Sequence, residues 1–203
     1  MLYVGADKAA SAELLDEGRQ PPVPINQDLP QAAKYGSFRA QQGPSGTWHW
    51  GVDLPAATDT AVVAPERMTI AYVWTDNTTA PFAGYGPAGV LAQGKSGRWH
   101  LLAHLDPKAW TAEGAAPPAP QKVYEKGEQV GFPSPTGGEG VGTAQPHTHW
   151  EVRVNPIDAP STRKANTLDP IAWLGGVDRV KERSGSGGLL ILLALLLYGS
   201  RKR

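Results

Sequence analysis

Beyond residue 34 the chain is a series of short apolar stretches cut apart by glycine and proline. Thr60–Ala64, Met68–Trp74, Gly89–Gln93, Arg98–His104, Gln129–Phe132 and His147–Val154 are short, rich in β-branched and aromatic residues, and bounded by turn formers. That pattern predicts strands rather than helices. No convincing amphipathic helix interrupts the series, and the intervening loops, such as TDNTTAPFAGYGP and TAEGAAPPAP, are turn-rich. The expectation is an all-β domain, a small antiparallel sheet spanning 34–176. Upstream, 1–33 reads as an N-terminal arm. Asp7–Glu17 has the caps of a short helix, and the prolines of Gln20–Gln31 favour an extended run.

The end of the chain breaks the pattern. Residues 177–187 have the composition of a flexible linker, and the KERSGSGG run of Lys181–Gly188 carries it into the next segment. Leu189–Tyr198 reads LLILLALLLY, and Arg201, Lys202 and Arg203 follow. Ten residues of helix span about 15 Å, half of a hydrocarbon core of about 30 Å. With the small flanking residues, 188–200 is expected to form a hydrophobic helix anchoring the domain to a lipid membrane, its basic end on the cytoplasmic side. The first residues lack a basic start followed by an apolar run, so they do not read as a secretory signal.

Composition narrows the chemistry. The 203 residues suffice for one domain with a core. Nineteen Lys and Arg balance nineteen Asp and Glu, which gives no electrostatic argument for nucleic acid. The absence of cysteine excludes disulfides, thiolate metal sites and a cysteine nucleophile.

Five histidines remain, and four sit in compact motifs: His49 with Asp53 in HWGVD, His104 in LLAHL, and His147 with His149 in HTHWEV. Without thiolates, zinc takes imidazole nitrogen and carboxylate oxygen. A catalytic zinc needs three protein ligands and one open position. On a strand, His147 and His149 project to one face. His49 and Asp53 would lie about 13 Å apart on a fully extended strand, so sharing a metal requires a bend, which Gly51 permits. No HExxH motif is present, which excludes the helical zinc-protease arrangement. His100 reads as a rim histidine on the face of His104. Glu151 reads as structural, pointing away from the metal. Trp48, Trp50, Trp99 and Trp150 are either cleft walls or sheet packing.

These motifs, in this order, resemble the lysostaphin-type zinc endopeptidases of bacterial cell walls. The resemblance runs from about Tyr35 to Leu174. It is carried by YGSFR, HWGVDL, TAVVAPERMTIAYV, LLAHL, YEKGEQVGFPSPTG, HTHWEVRV and LDPIAWL. It implies a small β-sheet peptidase domain with a zinc cleft. It further implies one zinc ion per chain held by His49, Asp53 and His149, with His104 and His147 as catalytic histidines. The implied partner is bacterial peptidoglycan, cleaved at stem peptides or cross-links. A non-catalytic wall-binding or structural protein on the same fold is the alternative. Thr148 and Trp150 stand where the family usually has leucine and phenylalanine, Glu66-Arg67 replaces a more usual glycine turn, and GGEGVGTAQP alters the approach to the last motif. A wall hydrolase with a membrane tail and no evident export signal suggests the bacterial envelope or the membrane of a membrane-containing phage virion.

Overall fold

The computed structural model describes residues 19–25, 34–36, 38–39, 47–78, 82, 84–112, 117–135, 145–157 and 166–176. The expected helix at Asp7–Glu17, the linker at 177–187 and the hydrophobic helix at 188–200 lie outside these residues. The described part is mostly β and antiparallel.

Its strands are β1 (Phe38–Arg39), β2 (Thr47–Trp48), β3 (Val52–Pro55), β4 (Val62–Val63), β5 (Met68–Trp74), β6 (Gly89–Gly94), β7 (Trp99–Ala103), β8 (Val123–Tyr124), β9 (Gln129–Gly131), β10 (His147–Arg153) and β11 (Thr167–Leu168). Seven of them form the main sheet, in the order β11-β10-β7-β6-β5-β8, and β3 also pairs with β10. Strand β10 is central to the site because it is bonded on both edges. One edge holds β3 and then β11, and the other holds β7.

The sheet buries both faces differently. On one, Val52, Leu54, Val90, Leu102, Trp150 and Val152 join a core that also takes in Met68, Ile70, Tyr124 and Trp173. Two single-turn helices complete this side. The first, α1 (Pro107–Thr111), starts at the Asp106 side chain, which accepts from Lys108 N, and buries Trp110. The second, α2 (Pro170–Leu174), is capped by Asp169, which accepts from Ile171 N and Ala172 N, and buries Trp173 and Leu174. Both begin with proline at a position where a missing N–H costs nothing. They are too short to show a helical period in sequence, so the strand pattern hid them.

The opposite face carries a smaller aromatic cluster of Trp74, Phe82, Tyr85, Leu91, Leu101 and Ala103. Residues 19–25, from the arm, pack on the domain. Val23 is buried in the core, Gln20 N donates to Pro65 O, Val63 N donates to Pro22 O, and Arg19 lies over the Trp173 ring.

Candidate metal centre

Register assembles the site. In the β3–β10 ladder His149 faces Asp53, and His147 faces Pro55. Directly opposed residues share a face, so Asp53, His147 and His149 lie on one side of the sheet. Val52, Leu54, Thr148 and Trp150 lie on the other. The departures at Thr148 and Trp150 are thus core positions, both fully buried, and Trp150 packs in the sheet rather than walling a cleft.

His49 reaches the same point from the segment before β3. A bend at Gly51 separates it from the strand, as expected. The need for glycine there is mainly one of space. A Cβ on Gly51 would come within 2.6 Å of His149 Cε1 and 2.7 Å of the Trp150 carbonyl oxygen.

Three donor atoms converge. His49 Nε2 lies 3.0 Å from His149 Nδ1, His149 Nδ1 lies 2.8 Å from Asp53 Oδ1, and His49 Nε2 lies 3.2 Å from Asp53 Oδ1. Metal bonds of about 2.0–2.1 Å at tetrahedral angles separate ligand atoms by about 3.3–3.4 Å. The triangle is a few tenths of an ångström tighter, within reach of small side-chain rotations.

Hydrogen bonds on the outer side of each ring fix what points inward. His49 Nδ1 meets the Lys34 carbonyl at 3.2 Å, and His149 Nε2 meets Glu151 Oε1 at 3.0 Å. Both partners accept, so in the neutral rings the proton sits outward and the lone pairs of His49 Nε2 and His149 Nδ1 face each other. Two lone pairs and a carboxylate oxygen around one point require a cation. Burial opposes charge on His149, but the hydrogen bonds and charges of Asp53 and Glu151 outweigh it and push its pKa up to about 9. Burial likewise opposes ionisation of Asp53, yet its close contacts with His149 and His49 hold its carboxyl well below the usual range. A donor set of two imidazoles and one carboxylate, with no thiolate, fits zinc.

His104 and His147 stand beside the triangle. Their ring centroids are 4.8 Å apart, and His147 Nε2 lies 4.0 Å from Asp53 Oδ1. Asp53, His104 and His147 each place a ligand-type atom within 4.8 Å of the others. His147 Nδ1 meets the Gln145 carbonyl at 2.9 Å, which leaves the Nε2 lone pair directed inward. All five residues are buried, at 3–6 % exposure, so the site forms a floor rather than a rim.

His104 reaches this floor by an unusual backbone. Alternation along β7 puts Leu101 and Ala103 on the face of Glu151 and His149, and His100 and Leu102 on the core face. Continued alternation would send His104 into the core. Instead its φ is 61°, in the left-handed region, and the strand ends at Ala103. That single residue turns the imidazole back to the site. Gly86, itself at φ 81°, makes room, since a Cβ there would overlap His104 Nδ1.

The same turn corrects the expectation for His100. It is neither on the face of His104 nor at a rim. It is fully buried on the core side, with Nε2 2.8 Å from Glu66 Oε1 and Nδ1 accepting from Trp150 Nε1 at 3.3 Å. Glu151 is a second correction. Two residues beyond His149, it shares that residue's face and contacts it. The alternation that paired His147 with His149 also marks Glu151 and Arg153.

Comparison with known proteins bears on the fold. No protein-family model matches the chain, and no curated protein matches it. Among solved structures, cbpA from L. salivarius REN superposes with a TM-score of 0.51 at 15% identity, over 79% of this chain and 96% of that one. Lysostaphin itself, in its solution structure, gives a TM-score of 0.49 at 19% identity, over 73% of this chain. This chain spans about half of lysostaphin's length, 51%. LytU gives a TM-score of 0.49 at 15% identity, over 80% of this chain and 90% of that one. At these identities the likeness concerns the fold alone.

Proposed function

We propose that the chain is a zinc-dependent endopeptidase that hydrolyses stem peptides or peptide cross-links of bacterial peptidoglycan. The observation that carries this reading is the buried convergence of His49 Nε2, Asp53 Oδ1 and His149 Nδ1 within 3.2 Å of one another, with His104 and His147 alongside. A structural zinc site is closed by four protein ligands, whereas three ligands leave a position for water. The order of the motifs, which resembles that of the lysostaphin-type endopeptidases, supports the same reading.

The hydrogen bonds support a division of roles. His49, Asp53 and His149 would hold one zinc. Bound there, zinc would lower the pKa of a water molecule and polarise the scissile carbonyl. His147 is the proton acceptor, because the Gln145 carbonyl keeps its proton on Nδ1 and leaves Nε2 basic. His104, held across from it by its left-handed backbone, is placed to donate a hydrogen bond to the oxygen that gains charge as the carbonyl is attacked.

Zinc content and clearing of a peptidoglycan suspension, with and without chelator, test the proposal on the purified chain. The expected result is about one zinc per chain and clearing that chelation stops. Asp53→Ala should lose both while remaining folded. Stoichiometric failure of metal binding, with no clearing, would overturn it. Wall binding unaffected by Asp53→Ala, without cleavage, would assign a binding protein instead.

We further propose that 188–200 holds the chain at a membrane, in the bacterial envelope or a phage virion. Among the described residues no helix is long and apolar enough to cross a membrane. The apolar run followed by Arg201, Lys202 and Arg203 supports anchoring from outside that set. The full chain should co-float with lipid vesicles, and a chain ending at Arg183 should not. Equal solubility of both would sink the proposal.

A further inference from the structure

The sheet face that carries the metal ligands continues past His149. Glu151 and Arg153 follow it at alternate positions of β10, each only 2 % exposed. A carboxylate so deeply buried needs several donors to stay ionised, and it has them. Oε1 accepts from Tyr85 Oη at 2.9 Å and lies 3.0 Å from His149 Nε2. Oε2 accepts from Arg153 Nε at 2.7 Å. Arg153 is itself committed, donating from one terminal nitrogen to Tyr85 Oη at 2.9 Å and from the other to the Pro156 carbonyl at 3.1 Å.

This arrangement has a chemical consequence for His149. A neutral imidazole has two tautomers, and only the one protonated at Nε2 offers a lone pair at Nδ1, the nitrogen facing Asp53 and His49. An ionised Glu151 can only accept, so it selects that tautomer and fixes the ring's rotation. Tyr85 and Arg153 leave the carboxylate no second orientation. A simple surface ion pair would do none of this, because its partners would be free to turn away. The network also reaches the other side of the site, since the Tyr85 carbonyl accepts from His104 N at 3.3 Å.

We infer that Glu151, held by Tyr85 and Arg153, is a positioning residue that presents His149 Nδ1 to the metal. The inference rests on the zinc reading above and assigns no direct contact with metal or substrate to Glu151. Outer partners of this kind are worth about 10–100-fold in metal affinity.

The test is metal binding on the full chain, with no turnover required. Zinc affinity is measured by competition with a chromogenic chelator, and ligand geometry by the visible absorption of the cobalt(II) form. Glu151→Gln puts an amide N–H₂ among donors and removes the charge. It should bind zinc about 10–100-fold more weakly and shift the cobalt bands. Tyr85→Phe removes only the hydroxyl and should move both readouts in the same direction by a smaller factor. Wild-type zinc affinity in Glu151→Gln overturns the inference. So does weaker zinc binding with an unaltered cobalt spectrum, which marks general loosening. If Glu151→Gln does not fold, Tyr85→Phe decides, and unchanged affinity and bands overturn the inference. A wild-type chain that binds neither metal counts against the zinc reading itself and is distinct from all these results.

Discussion

At the scale of single residues, the site depends on how closely backbone and ring approach one another. Gly51 has no side chain because His149 occupies the space one would need. Gly51→Ala would place a methyl 2.6 Å from His149 Cε1, and 2.7 Å from a backbone oxygen that cannot retreat without breaking the sheet. The ring is the softer neighbour, so it must rotate, and its Nδ1 then leaves the triangle. The expected outcome is loss of most zinc affinity in a protein that still folds, with the far-ultraviolet spectrum retained. Calorimetric zinc titration checks it, and wild-type affinity would show that the triangle tolerates a displaced ring. The five residues that converge here stand out in sequence because each motif carries its own spacing. His104 stands out as a motif residue, but its geometry does not. Its left-handed φ reverses the alternation, and so the reading that placed His100 beside it failed. Nothing in LLAHL announces that reversal, although Gly86 across from it is the space it needs.

Elements explain why the site stays in register. Strand β10 is pinned on both edges, and a one-residue slip would turn His147 and His149 into the core. A buried polar tie secures the strands on the core side. Glu66, just before β5, accepts from Ser96 N at 2.8 Å, from Ser96 Oγ at 2.6 Å and from His100 Nε2 at 2.8 Å. It thereby joins β5, the β6–β7 turn and β7. Burial alone would raise the pKa of Glu66, but its bonds to His100 and Ser96 hold it below the ordinary 4.5. A carboxylate with a depressed folded pKa contributes stability that is present above its unfolded pKa and is lost as pH falls through the folded one. Glu66→Gln should therefore lower stability at pH 7, by about 1–3 kcal/mol for the mismatched buried bonds. The gap to the wild type should narrow below pH 4.5. Urea midpoints at pH 7 and under pH 4 measure both, and a gap constant with pH would remove Glu66 from the acid response. The long strands β5, β6, β7 and β10 were readable from pattern. Strand β3 was missed because VDLP alternates over only four residues inside a motif read for its ligands, and β8 and β11 are two residues each, below any pattern's resolution. The Glu66–His100 pair could not be read at all, since its partners lie 34 residues apart and meet only through the sheet.

At the scale of the whole molecule, the apolar core and the candidate metal site lie on opposite faces of the sheet. The main core draws on Val52, Leu54, Met68, Ile70, Trp150 and Trp173, and none of the five site residues belongs to it. Asp53, His147 and His149 stand on the other face of the same strands. The chain should therefore fold without metal, unlike small zinc modules whose metal replaces a core. Bound there, zinc would be a ligand of an already folded state and would stabilise it by mass action. Free zinc at a thousandfold excess over its dissociation constant is worth about 4 kcal/mol. For a protein of this size each kcal/mol moves the melting midpoint by about 2–4 °C, so zinc should raise it by about 8–16 °C. Calorimetry of the chelated and zinc-loaded forms checks this. The metal-free chain should melt in a single cooperative transition, and Asp53→Ala should melt cooperatively with no zinc-dependent shift. A chelated chain without any cooperative transition would mean that the metal, not the apolar face, organises the sheet. A full zinc shift retained in Asp53→Ala would move the binding site away from the triangle of His49, Asp53 and His149.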